Sequence, residues 1–143
     1  MILFNRVGRR DLLADEAPLA FTPQQAMAAI SIVAAIADGT VTDDEVARIV
    51  GNLADKRMFR GQRVDDMGRL LNGVSKVVQQ HGAADVIDAA KHALARELRE
   101  TAFALVADLL YAGGHIEPRE KHFLDDLQEA LEIDDVLAIK NRG

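Results

Sequence analysis

Glu45 and Glu120 are the residues whose type and setting could do chemistry, because each closes a glycine-containing turn at a common spacing. The first turn reads Asp38-Gly39-Thr40-Val41-Thr42-Asp43-Asp44-Glu45 and the second Gly113-Gly114-His115-Ile116-Glu117-Pro118-Arg119-Glu120. Carboxylates that a fold gathers together are hard oxygen ligands, the kind that calcium and magnesium take. Gathered without a cation, a lysine or an arginine between them, they repel one another. Asp38 opens the first turn, and Asp108 lies in the apolar stretch before the second. The candidate metal ligands are therefore Asp38, Glu45, Asp108 and Glu120, with His115 a marginal contributor, and the candidate cofactor is Ca²⁺ or Mg²⁺.

The segment Asp38-Gly39-x-Val41-x-x-x-Glu45 matches the second half of an EF-hand loop. The first half of such a loop needs oxygen ligands at its first and third positions. Those positions hold Ala34 and Ile36, and in the second copy Leu109 and Tyr111. An EF-hand is excluded. A looser site competes with a structural reading, in which both glutamates fall third in a helix, reach back to the cap and favour the helix dipole. Asp43-Asp44-Glu45 likewise suits a helix N-terminus. Asp108 interrupts the most apolar stretch of the chain. It either needs a partner to be buried, since a lone buried carboxylate is costly, or shares a polar stripe with Glu97, Thr101 and His115.

The remaining histidines do not assemble a site. His92 follows Asp88 by one turn and His122 precedes Asp126 by one turn, both read as exposed helix pairs. Zinc wants three or four Cys or His ligands, which this spacing does not offer. No catalytic residue is predicted, for there is no nucleophile motif or phosphate loop.

Both turns are positioned by a repeat. Residues 34–45 lie over residues 109–120 at an offset of about 75, roughly half the chain. In each copy an apolar run ends at glycine, a β-branched residue follows, and a glutamate comes four residues later. Thr22, Pro23 and Gln25 open a first helix, apolar nearly all round and ended by Gly39, which reads as buried and central. Thr42-x-x-Glu45 is a capping box for a second helix carrying Val46, Ile49, Val50 and Leu53 on one face. Residues 56–63 read as a connection. Val64 to Val78 mark an amphipathic third helix stopped near His81-Gly82, in which Gly68 and Gly73 suggest close packing. Val86, Ile87, Ala90 and Leu94 give a fourth. Leu98 to Ala112 reads as a second all-apolar helix, Pro118 opens a sixth, and a short seventh runs from about Asp134 to Ile139. The class is all-α, about seven helices, with residues 23–57 and 98–131 expected to superpose. Residues 1–21 read as an N-terminal arm and 22–143 as one helical domain.

Composition narrows the partners. The net charge of −6 argues against nucleic acid, and the basic cluster Arg6, Arg9 and Arg10 is too small to reverse that reading. With no cysteine, disulfides, thiolate metal sites and thiol redox chemistry are excluded. The stretch Ala26 to Ala37 falls far short of the ~20 apolar residues that span a bilayer. The apolar residues Met1 to Phe4 precede the arginines, the wrong order for a signal peptide, so the expected location is cytoplasmic.

The duplicated turns, Ala37-Asp38-Gly39-x-Val41-x-x-x-Glu45 and Ala112-Gly113-Gly114-x-Ile116-x-x-x-Glu120 followed by Phe123-Leu124, resemble the TerB family of tellurite-resistance proteins. That family also supplies the helical domain of a membrane-anchored DnaJ-like co-chaperone. The resemblance covers roughly residues 22–140. It implies a compact all-α fold, no established catalytic activity, a role in bacterial tellurite or general chemical stress responses, and an acidic cluster for a divalent metal. Gly113 stands where the pattern would repeat an aspartate, which leaves a symmetric site one ligand short. The chain has no His-Pro-Asp tripeptide, so co-chaperone activity does not carry over. Reduction of tellurite would need thiols, and no set of arginines marks an oxyanion pocket. The first expectation is a stress protein that binds, with metal, rather than catalyses. The alternative is a helical interaction module that docks a protein partner, at a membrane or in the cytoplasm, or a second copy of itself, with purely structural acidic caps.

Overall fold

A computed structural model describes residues 19–37, 42–111 and 114–133. In chain order these form α1 (Pro23–Ala37), α2 (Asp43–Ala54), a 3₁₀ turn (Arg57–Phe59), α3 (Val64–His81), α4 (Ala83–Ala93), α5 (Arg96–Leu110) and α6 (Pro118–Ala130). No strand occurs among the described residues, and the fold class is all-α as the sequence requires. The expected arm and short last helix, and the tip of the first turn with Asp38 and Gly39, lie outside the described residues.

The helix starts follow the local chemistry of the chain. Thr22 Oγ1 accepts from the Gln25 amide at 3.1 Å while Gln25 Oε1 accepts from the Thr22 amide at 2.9 Å. Thr42 and Glu45 make the same reciprocal pair on α2. Each box satisfies amides that a helix start leaves without partners. Pro118 stands at the head of α6, where a missing N–H costs nothing.

α1 is the axis of the domain. Every residue from Ala26 to Ala35 is buried, and the helix touches all five of the others. Its alanines let neighbours approach on every side, while Met27, Ile30, Ile32 and Val33 fill the gaps between them. The one buried polar side chain among the described residues is Ser31. Its hydroxyl donates to the Met27 carbonyl at 3.1 Å, so no hydrogen bond is forfeited. Around α1, α3 contributes Met67, Leu71, Val74 and Val78, and α4 contributes Val86, Ile87 and Ala90.

Two expectations are corrected here. α5 is not apolar all round: Ala102, Phe103, Leu105, Val106 and Ala107 are buried, whereas Glu97 and Asp108 are exposed. It covers α1 with one face and leaves the other to water. The close packing expected at Gly68 and Gly73 is also missing, since a Cβ at either would meet nothing within 4 Å. Gly51 in α2 is equally unencumbered. Alanine at each should therefore stabilise its helix by about 0.5–1 kcal/mol, mainly by restricting the unfolded chain. We expect the Gly51→Ala/Gly68→Ala/Gly73→Ala variant to gain about 1.5–3 kcal/mol in a urea melt, because distant sites add. A net loss would mean that one of these positions needs its glycine.

Arg99 ties the ends of three helices. Its Nε donates to the carbonyls of Leu94 at 2.9 Å and Lys91 at 3.1 Å, and Nη1 to the carbonyl of Leu131 at 3.4 Å. One guanidinium thus binds carbonyls at the C-terminal ends of both α4 and α6. Beside it, Lys91 Nζ bonds Glu132 at 2.7 Å and holds that carboxyl below its usual range.

Candidate functional site

The far ends of α5 and α6, away from Arg99, meet the corresponding ends of α1 and α2 around a cleft of about 270 Å³. Its floor is apolar: Ala34 and Ala35 from α1, Ile49 from α2, Leu109 and Leu110 from α5. Its rim is charged, with Glu45 and Arg48 from α2, His115 and Glu117 from the second turn, and Glu120 from α6. Glu45, Arg48 and Ile49 share the cleft because residues three and four apart lie on one helix face.

The two glutamates of the repeat do the same local work. Glu45 Oε1 accepts from the amide and the hydroxyl of Thr42, each at 3.2 Å. Glu120 Oε1 accepts from the amide of Glu117 at 2.9 Å. Both are half-buried, and both helix starts bring their carboxylates to the cleft. Arg119 Nε lies 3.4 Å from a Glu117 carboxylate oxygen, partly balancing the rim.

The four candidate metal ligands therefore part company. Glu45 and Glu120 line one cleft, Asp108 stands exposed on α5 and is not among its lining residues, and Asp38 lies outside the described residues. For Asp108 the polar-stripe alternative holds, since Glu97 and His115 are exposed with it. Among the described residues, no three His, Asp or Glu side chains come close enough together to hold a metal ion. The described carboxylates alone do not build a closed cation cage.

Sequence reasoning did not single out Arg48 or Glu117. The spacing of Arg48 from Glu45 was a usable signal. Glu117 offered a weaker one, because a glutamate is an uncommon residue to precede a helix-opening proline. His92 sits as expected, exposed, its ring nitrogen 2.8 Å from the Asp88 carbonyl. No helix among the described residues is long and apolar enough to cross a membrane.

Compared with models of protein families, residues 24–142 match the family described as "Tellurite resistance protein TerB". No curated protein and no solved structure gives a significant match.

Proposed function

The chain belongs to the TerB family of tellurite resistance proteins, and from that footing we propose that it acts by binding rather than catalysis, in the cytoplasmic response to tellurite or wider chemical stress. The observation that carries this reading is that Glu45 and Glu120, from the two like turns, both line one cleft. The ligand it suggests is a divalent cation held at the rim with water completing the shell. Magnesium keeps several waters and is often held by only one or two carboxylates, whereas calcium takes roughly 6–8 oxygens. The pair of glutamates therefore suits Mg²⁺ better than Ca²⁺. An oxyanion such as tellurite would meet a rim of three glutamates, which works against its direct capture.

Calorimetric titration of the protein with Mg²⁺ and Ca²⁺, paired with thermal melts, tests the proposal. Binding at millimolar concentration is expected, with a rise in melting temperature because an ion bound only to the native state stabilises it. The Glu45→Gln/Glu120→Gln variant should lose both effects while keeping its metal-free stability, since glutamine also serves in a capping box. No binding by the parent, or equal binding by the variant, would overturn the cation reading. It would favour the second one, a helical interaction module with purely structural caps. That alternative draws on one specific observation: each glutamate already uses an oxygen on its own helix start.

A further inference from the structure

The cleft has two properties that a bare cation would leave partly unused. Its floor is made of aliphatic side chains from three helices, and its volume of about 270 Å³ falls just under the roughly 300–1,000 Å³ of small-molecule sites. It is sized for one or two side chains with apolar stems and cationic heads. The surroundings are acidic: Asp43, Asp44 and Glu45 start α2, and Glu117 and Glu120 start α6, against Arg48 and Arg119. α1 and α5 end here while α2 and α6 begin here, so the helix dipoles offset one another and the side chains set the sign of the field.

The chain has net charge −6, and its two basic stretches are residues 56–63, which lie at the 3₁₀ turn that packs Phe59 into the core, and residues 1–10. Residues 1–10 read Met-Ile-Leu-Phe-Asn-Arg-Val-Gly-Arg-Arg, with no acidic residue and three arginines that follow Ile2, Leu3 and Phe4 and flank Val7. We propose that the cleft is the docking site of this N-terminal arm, its arginines at the glutamate rim and an apolar side chain on the floor. The inference rests on the reading of the cleft as the binding site and names its occupant.

Reach permits it. The arm joins at the start of α1 and the cleft lies at its end, so the arm must travel back along a helix of about 22 Å at 1.5 Å per residue. Extended chain covers at most about 3.3–3.6 Å per residue, so the stretch from Leu19 back to Arg10 spans about 30 Å and that back to Phe4 about 50 Å. A tethered segment whose linker spans the gap meets its site at an effective concentration on the order of millimolar, so weak intrinsic affinity suffices. The arm and a divalent cation then compete for the same carboxylates.

The test is heteronuclear NMR of the full chain beside the Arg6→Glu/Arg9→Glu/Arg10→Glu variant. Charge reversal should shift the resonances of Glu45, Arg48, Leu110, His115 and Glu120 and leave those of α3 and α4 in place. Raising the parent to about 1 M salt, where screening acts within about 3 Å, should move the same resonances in the same direction. A synthetic peptide of residues 1–12 added to the variant should return them toward parent positions. The variant should also bind Mg²⁺ several-fold more tightly than the parent. If Mg²⁺ binds at the cleft of the parent while charge reversal moves none of its resonances, the docking fails and the binding reading stands. If reversal moves them but no cation binds, the docking stands and the cation reading falls. Cleft shifts that grow with protein concentration would assign the arm to a second copy and overturn docking within one chain.

Discussion

Replacing Phe59 by alanine is expected to destabilise the fold by about 3–5 kcal/mol, the range for removing a fully buried aromatic side chain. Phe59 is 2 % exposed although it sits on a three-residue 3₁₀ turn among Lys56, Arg57 and Arg60. The turn exists to deliver that ring to the core. Gln24, in the first turn of α1, donates to the Met58 carbonyl at 2.6 Å and fixes the turn against the central helix. With both backbone and ring held, the site has little freedom to collapse, which places the cost toward the upper part of the range. A urea melt with an unchanged m-value reads the effect directly. A loss under about 1 kcal/mol would mean that the segment relaxes into the space left behind.

Leu105→Ala should cost about 2–5 kcal/mol, for a related reason in a different place. Leu105 is 1 % exposed on the inner face of α5, with Phe103 and Val106 beside it, and α5 packs on α1, where Ile30 and Val33 are buried. Shortening the side chain loses transfer energy and leaves a cavity bounded by rigid helices. The same measurement decides it. A change below about 0.5 kcal/mol, typical of exposed positions, would remove α5 from the shared core.

The helices were legible where pattern and punctuation agree. Thr22-Pro23, Thr42-x-x-Glu45 and Pro118 name three helix starts, and α3 runs to His81 before Gly82 as its spacing requires. Phe59 was not legible, because a single aromatic in a basic connection carries no period; only the fold reveals the gap it fills. The interior glycines of α3 misled in the opposite direction, since glycine in a helix signals close approach only where a neighbour approaches, and none does. α5 read as wholly apolar because its buried residues are nearly adjacent in sequence, yet Asp108, just after the last of them, is exposed. For the site, the similar spacing of the two turns paired Glu45 with Glu120, and both line the cleft. The spacing could not show that a cleft with an aliphatic floor lies between them, because that floor is drawn from α1, α2 and α5 at once.

The placement of Arg99 gives the domain a mechanical bias. α5 and α6 run antiparallel, pinned by Arg99 at the end where Leu131 lies and parted at the other end by the cleft. Two rods joined at one end and separated at the other form a lever, with the guanidinium as its fulcrum. Any rotation about that end would displace Glu120, at the other end of α6, more than the carbonyls under Arg99. Phe123, Leu124 and Leu127 of α6 are buried, so any widening of the cleft would also move those side chains against the core, and the packing on α1 sets how far the lever can open.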